Sequence, residues 1–414
     1  MKEKVLLAIV DYKRSKDGWP LDDAAQEMKE LVAACGGEVV EQVFCRIDKP
    51  APAYLIGEGK VKEIAELCAA QNLDTVIFNQ DLKGNQQRNI EEIVKVKTID
   101  RTQLILDIFA RRAASQEGKM QVELAQLEYL LPRLVGKGVE MSRLGGGIGT
   151  LGPGETKLEV DRRKISERIS RLKKNLREVA ADRTLKRKKR QEQGIPLLSL
   201  VGYTNAGKST LLNRLTQADQ KVENALFTTL DSLSRQYILP SHQKIIISDT
   251  VGFIHDLPHH LVESFKATLE EVKEADLLLH VVDVSHPQFK NFYESVIDVL
   301  RQLEVQDKPT LVVLNKIDRL EDKKWLKDLR ENFDFAVAIS ALTGEGIEDL
   351  TDGISKLLSP KMAEIDVLIP INRMDLVSLA HEEGQVIAVK YYNDTINIRA
   401  ILPVHIAGKF EDVK

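Results

Sequence analysis

Apolar positions change their period along this chain. Through residues 1–110, short β-rich apolar runs at 5–11, 39–47 and 75–79 alternate with helical patterns near 22–34 and 60–70. Strands alternating with helices predict a parallel sheet. Further on, Leu124, Leu127, Leu131 and Leu134 fall at a/d spacing, and Ile165, Ile169, Leu172, Leu176 and Val179 repeat it. Two such stripes predict an antiparallel helical hairpin that closes its own seam, with Pro132 bending or ending the first helix. Continuous Val/Ile/Leu runs at 195–201, 244–248, 276–283, 310–314 and 335–339 read as buried parallel strands. The remainder predicts a strand at 365–369, a helix at 372–383 and a hairpin of 386–392 with 396–402, turning at Asn393-Asp394. The expected fold class is α/β. Its expected parts are an N-terminal α/β domain (1–115), a helical hairpin with a glycine-rich loop (116–192), a central α/β domain (193–360) and a small C-terminal α+β domain (361–414).

Composition narrows the function classes. A chain of 414 residues exceeds one typical core, so two to four domains are expected. Cys35, Cys45 and Cys68 form no CxxC pair, which argues against a disulfide framework or zinc cage and fits a reducing cytoplasm. No apolar run is long enough to span a membrane, so stable membrane insertion is not expected. The first apolar stretch is too short for a secretory signal and reads as a strand. Charge is uneven: residues 155–192 hold 15 Lys/Arg and 7 Asp/Glu, a local +8, against an overall −4 that leaves −12 for the rest. Such asymmetry favours a polyanionic partner. Beside it, residues 136–154 contain eight glycines, which expose backbone N–H groups, and the loop is flanked by Lys137, Arg143 and Lys157. Gly57-Glu58-Gly59-Lys60 reads as a turn rather than a phosphate seat.

Chemistry concentrates between 202 and 342. The strand ending at Val201 runs into Gly202-Tyr203-Thr204-Asn205-Ala206-Gly207-Lys208-Ser209, followed by Thr210. This is GxxxxGKS between a strand and a helix, where backbone N–H groups and the helix N-terminus cradle phosphates. Lys208 would bridge the β- and γ-phosphates, and Ser209 would bind Mg²⁺ through its hydroxyl. Asp249-Thr250-Val251-Gly252 follows another strand; Asp249 could hold Mg²⁺ through water, and the Gly252 N–H could reach the γ-phosphate. Asn315-Lys316-Ile317-Asp318 ends a third strand. Its aspartate can accept hydrogen bonds from guanine N1–H and N2–H₂, a donor pair that adenine lacks, so the expected ligands are GTP and GDP. Ser340-Ala341-Leu342 resembles the loop that contacts the guanine O6 in GTPases, and its place after the other motifs supports that reading. Between the first two motifs, Asn224-Ala225-Leu226-Phe227-Thr228-Thr229-Leu230-Asp231 should supply a threonine that completes the Mg²⁺ shell; on the residues alone Thr228 and Thr229 compete. All these motifs lie beyond the carboxyl ends of strands, where a doubly wound sheet binds ligands.

Where Ras-like proteins carry a water-orienting glutamine after the DxxG glycine, this chain has Phe253. Slow intrinsic turnover is therefore expected, completed by a partner or an ion. Asn205 resembles the asparagine that coordinates K⁺ in some GTPases with this substitution. His255 and His259, with Glu263, have metal-like spacing, but Pro258 between them argues against one helix.

The chain resembles the HflX family of ribosome-associated GTPases over almost its whole length. The resemblance is carried by Asp107-Ile108-Phe109-Ala110-Arg111-Arg112-Ala113, by 117–127, by Leu131-Pro132-Arg133-Leu134, by the glycine loop and by 152–159. It implies a P-loop GTPase domain at the centre. Phe227-Thr228-Thr229-Leu230-Asp231 looks like the family's Phe-Ala-Thr-Leu-Asp switch, which favours Thr229 as the Mg²⁺ threonine and makes Lys208, Thr229 and Gly252 the expected catalytic set. The resemblance also implies binding to the large ribosomal subunit and its RNA, with Lys137, Arg143, Gly145, Gly146, Gly147 and Lys157 as expected contacts. It further implies dissociation or rescue of ribosomes, especially under stress. A monomer is expected because the seam closes within one chain, and nothing suggests DNA. Two other readings are an ATP-dependent RNA-remodelling protein and a GTP-dependent regulator that docks a protein.

Overall fold

The computed structural model describes residues 2–12, 20–136, 157–217, 227, 233–255, 266–359 and 362–411. The backbone divides into two compact units, one centred on Met1–Val179 and the other on Ala180–Glu223, Asp231–Leu257 and Lys266–Lys414.

In the first unit, β1 (Lys4–Tyr12), β2 (Glu38–Ile47), β3 (Thr75–Phe78) and β4 (Lys97–Asp100) form a parallel sheet in the order β2-β1-β3-β4. The run Val5–Val10 is buried on both faces, as its unbroken apolarity requires. Leu6, Ala8, Val76 and Phe78 pack against Val61 and Ile64 of the helix Glu58–Gln71 and Ile90 of the helix Gly84–Val94. The sequence pattern does not predict β4, which is four residues long, too short to display a period. Its last residue is nonetheless a hub. Buried Asp100 caps the helix Arg101–Arg112 by accepting from the Gln103 N–H at 2.9 Å. Its other oxygen accepts from the Leu82 N–H and from Arg133, each at 3.0 Å. Arg133 also donates to the carbonyls of Tyr129 and Leu82, and its guanidinium lies 3.4 Å from the centre of the Tyr129 ring.

The helical pair follows. Ser115 caps the helix Gln116–Leu130 through the Gly118 N–H at 2.9 Å. A 3₁₀ turn, Leu131–Gly136, replaces the helix at Pro132, so Leu134 lies past the helix rather than continuing its stripe. The helix Lys157–Glu192 returns over 36 residues. Leu124, Ile169 and Leu172 form the buried seam, with Met120, Leu127, Leu131, Ile165 and Leu176 packed on it. Arg168 grips Glu123 with two hydrogen bonds of 2.7 and 2.8 Å, and Lys173 pairs with Glu128 at 2.7 Å.

The second unit holds a six-stranded sheet: β5 (Leu197–Val201), β6 (Leu233–Ile238), β7 (Lys244–Asp249), β8 (Leu277–Asp283), β9 (Thr310–Asn315) and β10 (Ala336–Ala338), ordered β10-β9-β8-β5-β7-β6. All neighbours are parallel except β6, an antiparallel edge strand. β6 escapes the sequence pattern because an edge strand needs only half its residues apolar. The expected strand at 335–339 shortens to Ala336–Ala338, and Phe335 is about half exposed. A smaller antiparallel sheet follows: β11 (Met362–Pro370), β12 (Gln385–Tyr391) and β13 (Thr395–Pro403), in the order β11-β13-β12. The helices Met374–Glu383 and Val404–Glu411 cover it, burying Ala380, Ile396, Ile398 and Phe410. The last helix is not among the elements the sequence predicts. Among the described residues no helix is long and apolar enough to cross a membrane.

Candidate functional site

The sheet order sets the place of the site. β5 lies between β8 and β7, so the chain leaves β5 at the point where connections diverge to both sides, a crevice at the strands' carboxyl ends. There Gly202 adopts a φ of +155°, and a Cβ on it would stand 2.3 Å from the Val281 carbonyl. Gly207 adopts +99°, and its Cβ would meet the Asn315 amide at 2.2 Å. Side chains are excluded at both turns, which is why the loop can curl. Lys208, the first residue of the helix Lys208–Thr216, folds back and donates to the carbonyls of Gly202 (3.0 Å) and Tyr203 (2.8 Å). Burial lowers its pKa to about 8, with Lys316 adding to the fall and Asp249 opposing it. The ammonium is thus held, dehydrated, inside the ring where phosphate oxygens would sit.

The Ser209 hydroxyl donates to Asp249 at 2.6 Å, and both residues are buried. Two hard oxygen donors this close, with few other ligands at hand, suit a largely hydrated Mg²⁺. Among the described residues no group of three or more His, Cys, Asp or Glu side chains could hold a metal. The Thr250 hydroxyl donates to the Leu200 carbonyl at 2.6 Å and so pins the DxxG turn to β5. Gly252 packs so tightly that a Cβ would fall 2.7 Å from Thr204 Cα and 3.2 Å from the Lys208 ammonium. Phe253 is 1% exposed and bridges to the phosphate loop: Thr204 N–H donates to its carbonyl (2.7 Å), and its own N–H donates to Gly202 (3.1 Å). The side chain after the DxxG glycine therefore points into the core, away from any attacking water.

The loops at 315–318 and 340–343 are braced in a chain. Asn315 donates to the Ala206 carbonyl at 2.8 Å and accepts from the Ala341 N–H at 3.0 Å, joining three of the sequence motifs through one amide. Ser340 donates to Asp318 at 2.6 Å and accepts from the Thr343 N–H at 3.1 Å. Asp318 itself is exposed. Ile317 and Ala341 are buried as supports, while Leu342 is 66% exposed. Asn205 is the one exposed residue of 202–209 and takes a φ of +62°.

Three contributions are not predicted by the sequence motifs. Asp283, at the end of β8 and opposite Asn315 in register, pairs with the Lys316 ammonium at 2.7 Å. Arg214 donates to the carbonyls of Ala341 (3.3 Å) and Leu342, fixing their loop from the far end of its helix. The Tyr203 hydroxyl accepts from the His255 N–H at 2.9 Å. Tyr203 was already within the phosphate-loop motif, though the role of its hydroxyl was not legible there, and Asp283 sits where a reader of strand ends could have looked. Behind the loop, His280 is buried against Tyr293, and burial together with Lys208 lowers its pKa to about 3. Its imidazole is held neutral.

Phe227 is buried edge-on against Phe109, 4.7 Å between ring centres. Thr228, Thr229, Leu230 and Asp231 lie outside the described residues, as do Pro258, His259, Glu263, Lys137, Arg143, Gly145, Gly146 and Gly147. The Lys157 backbone opens its helix, but its side chain is likewise outside them.

Comparison with known proteins follows the same division of the chain. Residues 22–110 match a family described as GTP-binding GTPase N-terminal, and 112–190 one described as GTP-binding GTPase middle region. Residues 198–316 match 50S ribosome-binding GTPase, and 326–402 the HflX C-terminal domain. Among curated relatives, GTPase HflX of Caldanaerobacter subterraneus is 46% identical over 92% of this chain and 87% of its own length. GTPase HflX of Lacrimispora saccharolytica is 41% identical over 100% and 96%, and that of Escherichia coli 42% over 89% and 86%. A GTP-binding protein of Sulfolobus solfataricus, solved with GDP, is 28% identical over 87% of this chain and 99% of its own, with a TM-score of 0.44. With the phosphate loop, the DxxG turn and the base loops joined in one braced crevice, the chain belongs to the HflX family of GTPases.

Proposed function

We propose that this GTPase is a switch that binds the large ribosomal subunit in its GTP state and dissociates or rescues ribosomes, for example under stress. One observation carries the ribosomal part. The helix Lys157–Glu192 buries one stripe in its seam and leaves Arg162, Arg163, Lys164, Arg171, Lys174 and Arg177 exposed; Glu167 pairs with Arg163 and Arg171, and the exposed surface keeps a cationic excess suited to a phosphate backbone. The matched description, 50S ribosome-binding GTPase, agrees with it. Lys137, Arg143, Gly145, Gly146, Gly147 and Lys157 serve as further RNA contacts. The parts 1–115, 116–192, 193–360 and 361–414 act as functional domains, in a cytoplasmic monomer.

In the nucleotide site, Lys208 holds the β- and γ-phosphates, and the N–H groups of 202–210 surround them. Ser209 and Thr229 would hold Mg²⁺, with Asp249 holding it through water; the chemistry such an ion would supply is neutralisation of charge on the phosphates. Gly252 meets the γ-phosphate, Asp318 reads guanine, and Asn315, Lys316, Ser340, Ala341 and Leu342 frame the base. Asn205, the one exposed residue of 202–209, would hold a K⁺ that could stand in for the missing glutamine. Loss of the γ-phosphate releases 224–235 and 252–260 together.

Cosedimentation with separated large and small subunits is the test. A non-hydrolysable GTP analogue should carry the protein into the large-subunit fraction, and GDP should not. Equal association in both states would sink the switch. Equal turnover in KCl and NaCl would remove the potassium role.

A further inference from the structure

We infer that Tyr203 is a positioning residue for hydrolysis: its phenol oxygen locks the stretch Gly252–His255 against the phosphate loop. The inference rests on the proposed meeting of the Gly252 N–H with the γ-phosphate.

Three hydrogen bonds join the loop to this stretch. Two are backbone bonds at Phe253, to Gly202 and from Thr204. The third is the His255 N–H to the Tyr203 hydroxyl at 2.9 Å. The backbone pair fixes one residue only. The phenol bond grips two residues further along and so sets the direction of the chain through Ile254. A single clamp would let that direction rotate; clamps at two separated residues do not.

The phenol can serve as a fixed post because it is itself held. Tyr203 is 6% exposed and stacks on Phe292 of the helix Phe289–Gln302, with ring centres 4.1 Å apart and planes 10° from parallel. His286 packs on Phe292 at 4.6 Å. A tyrosine has two side-chain torsions, and an offset stack fixes both, so the hydroxyl takes its place from the G-domain core. The need for such a post follows from Phe253. That side chain is buried and offers no polar group, so the aim of Gly252 falls to the contacts on either side of it: Thr250 to Leu200 before it, and the Phe253 and His255 bonds after it. Gly252 sits 2.7 Å, by its virtual Cβ, from Thr204 Cα, where a small rotation of the turn would aim its N–H away from a γ-phosphate. The loop that holds the phosphates thus also aims the donor that meets them.

Tyr203→Phe tests this, since it keeps the ring and the stack and deletes only the acceptor. One neutral hydrogen bond corresponds to roughly fivefold. The expected result is kcat for GTP hydrolysis down roughly fivefold, with GTP and GDP affinities and the thermal midpoint unchanged. Phe292→Leu, which keeps the hydroxyl but loosens the post, should lower kcat less. The double variant should be no slower than Tyr203→Phe alone, because both act on one bond. An unchanged or raised kcat in Tyr203→Phe overturns the inference. So does a fall in kcat matched by weaker binding of both nucleotides and a lower melting temperature, which marks a purely structural residue. If the wild-type protein itself neither binds nor hydrolyses GTP, the proposed function fails instead, and the two failures are distinguishable.

Discussion

If Lys208 holds phosphates as proposed, it should tie nucleotide affinity to pH. Its ammonium is dehydrated among carbonyls, and its pKa falls to about 8. Bound phosphates stabilise the charged form and raise that pKa again. The sign follows: below pH 8 the cation is already present and affinity is flat. Above pH 8 the free protein has lost the proton that the complex requires, so affinity falls by up to about tenfold per pH unit until the bound pKa is passed. Calorimetry of GDP binding at pH 8.5 in buffers of different ionisation enthalpy should register proton uptake; none would place the lysine pKa well above that pH. Asp318 makes a second residue-scale prediction. Asp318→Asn turns one acceptor oxygen into a donor facing the guanine donor pair, and loses charge-assisted bonds worth about 1.5–3 kcal/mol each. GTP affinity should fall at least about tenfold while Lys208 keeps its contacts. Fluorescent-nucleotide titration reads this directly, and an unchanged Kd would mean that the base is recognised elsewhere.

At the scale of elements, two joints hold the first unit. Asp100 is buried, and burial pushes its pKa up while the Leu82 and Gln103 N–H groups and Arg133 pull it down. Removing the guanidinium leaves a buried carboxylate without its cation. Arg133→Ala should therefore cost about 3–5 kcal/mol, seen as a lower urea midpoint in the transition that reports the first unit. The helical seam is the other joint. Leu172 is 1% exposed, so Leu172→Ala should cost about 2–5 kcal/mol through lost burial and a residual cavity; a cost under half a kcal/mol would mean that the pair does not pack through this stripe. The seam was legible because its leucines and isoleucines keep a period over many turns. β4 and the helices flanking it were not, because four residues carry no period and Asp100 and Arg133, far apart in sequence, reveal their pairing only in space. The nucleotide motifs were legible for a different reason: each is a contiguous run at a strand's carboxyl end, so spacing alone places it. Asp283 and Arg214 were not, since each works from outside the motif it braces.

For the whole molecule, charge is segregated. The segment 155–192 carries +8 and the remainder −12. Attraction to RNA should then come through one face and be steeply salt-dependent. Neutralising Arg162, Arg171 and Lys174 together should weaken large-subunit binding and flatten its log–log salt slope by roughly 0.7–0.9 for each phosphate no longer neutralised. GTP turnover in the absence of ribosomes should stay as it is, because none of the three belongs to the nucleotide site. A slope that does not change would mean that these cations face water in the complex.

The sequence by itself determined the α/β class, the helical pair, the guanine-nucleotide motifs and the absence of the glutamine after DxxG. These are properties of short contiguous runs, whose period, glycine placement and side-chain chemistry are local. Only the tertiary structure decided that Phe253 is buried rather than facing the phosphates, that one amide of Asn315 joins three motifs, and that Tyr203 grips His255. Each of these depends on which strands lie side by side. That order is set by burial of apolar faces across the whole sheet, a constraint that no local stretch of sequence contains.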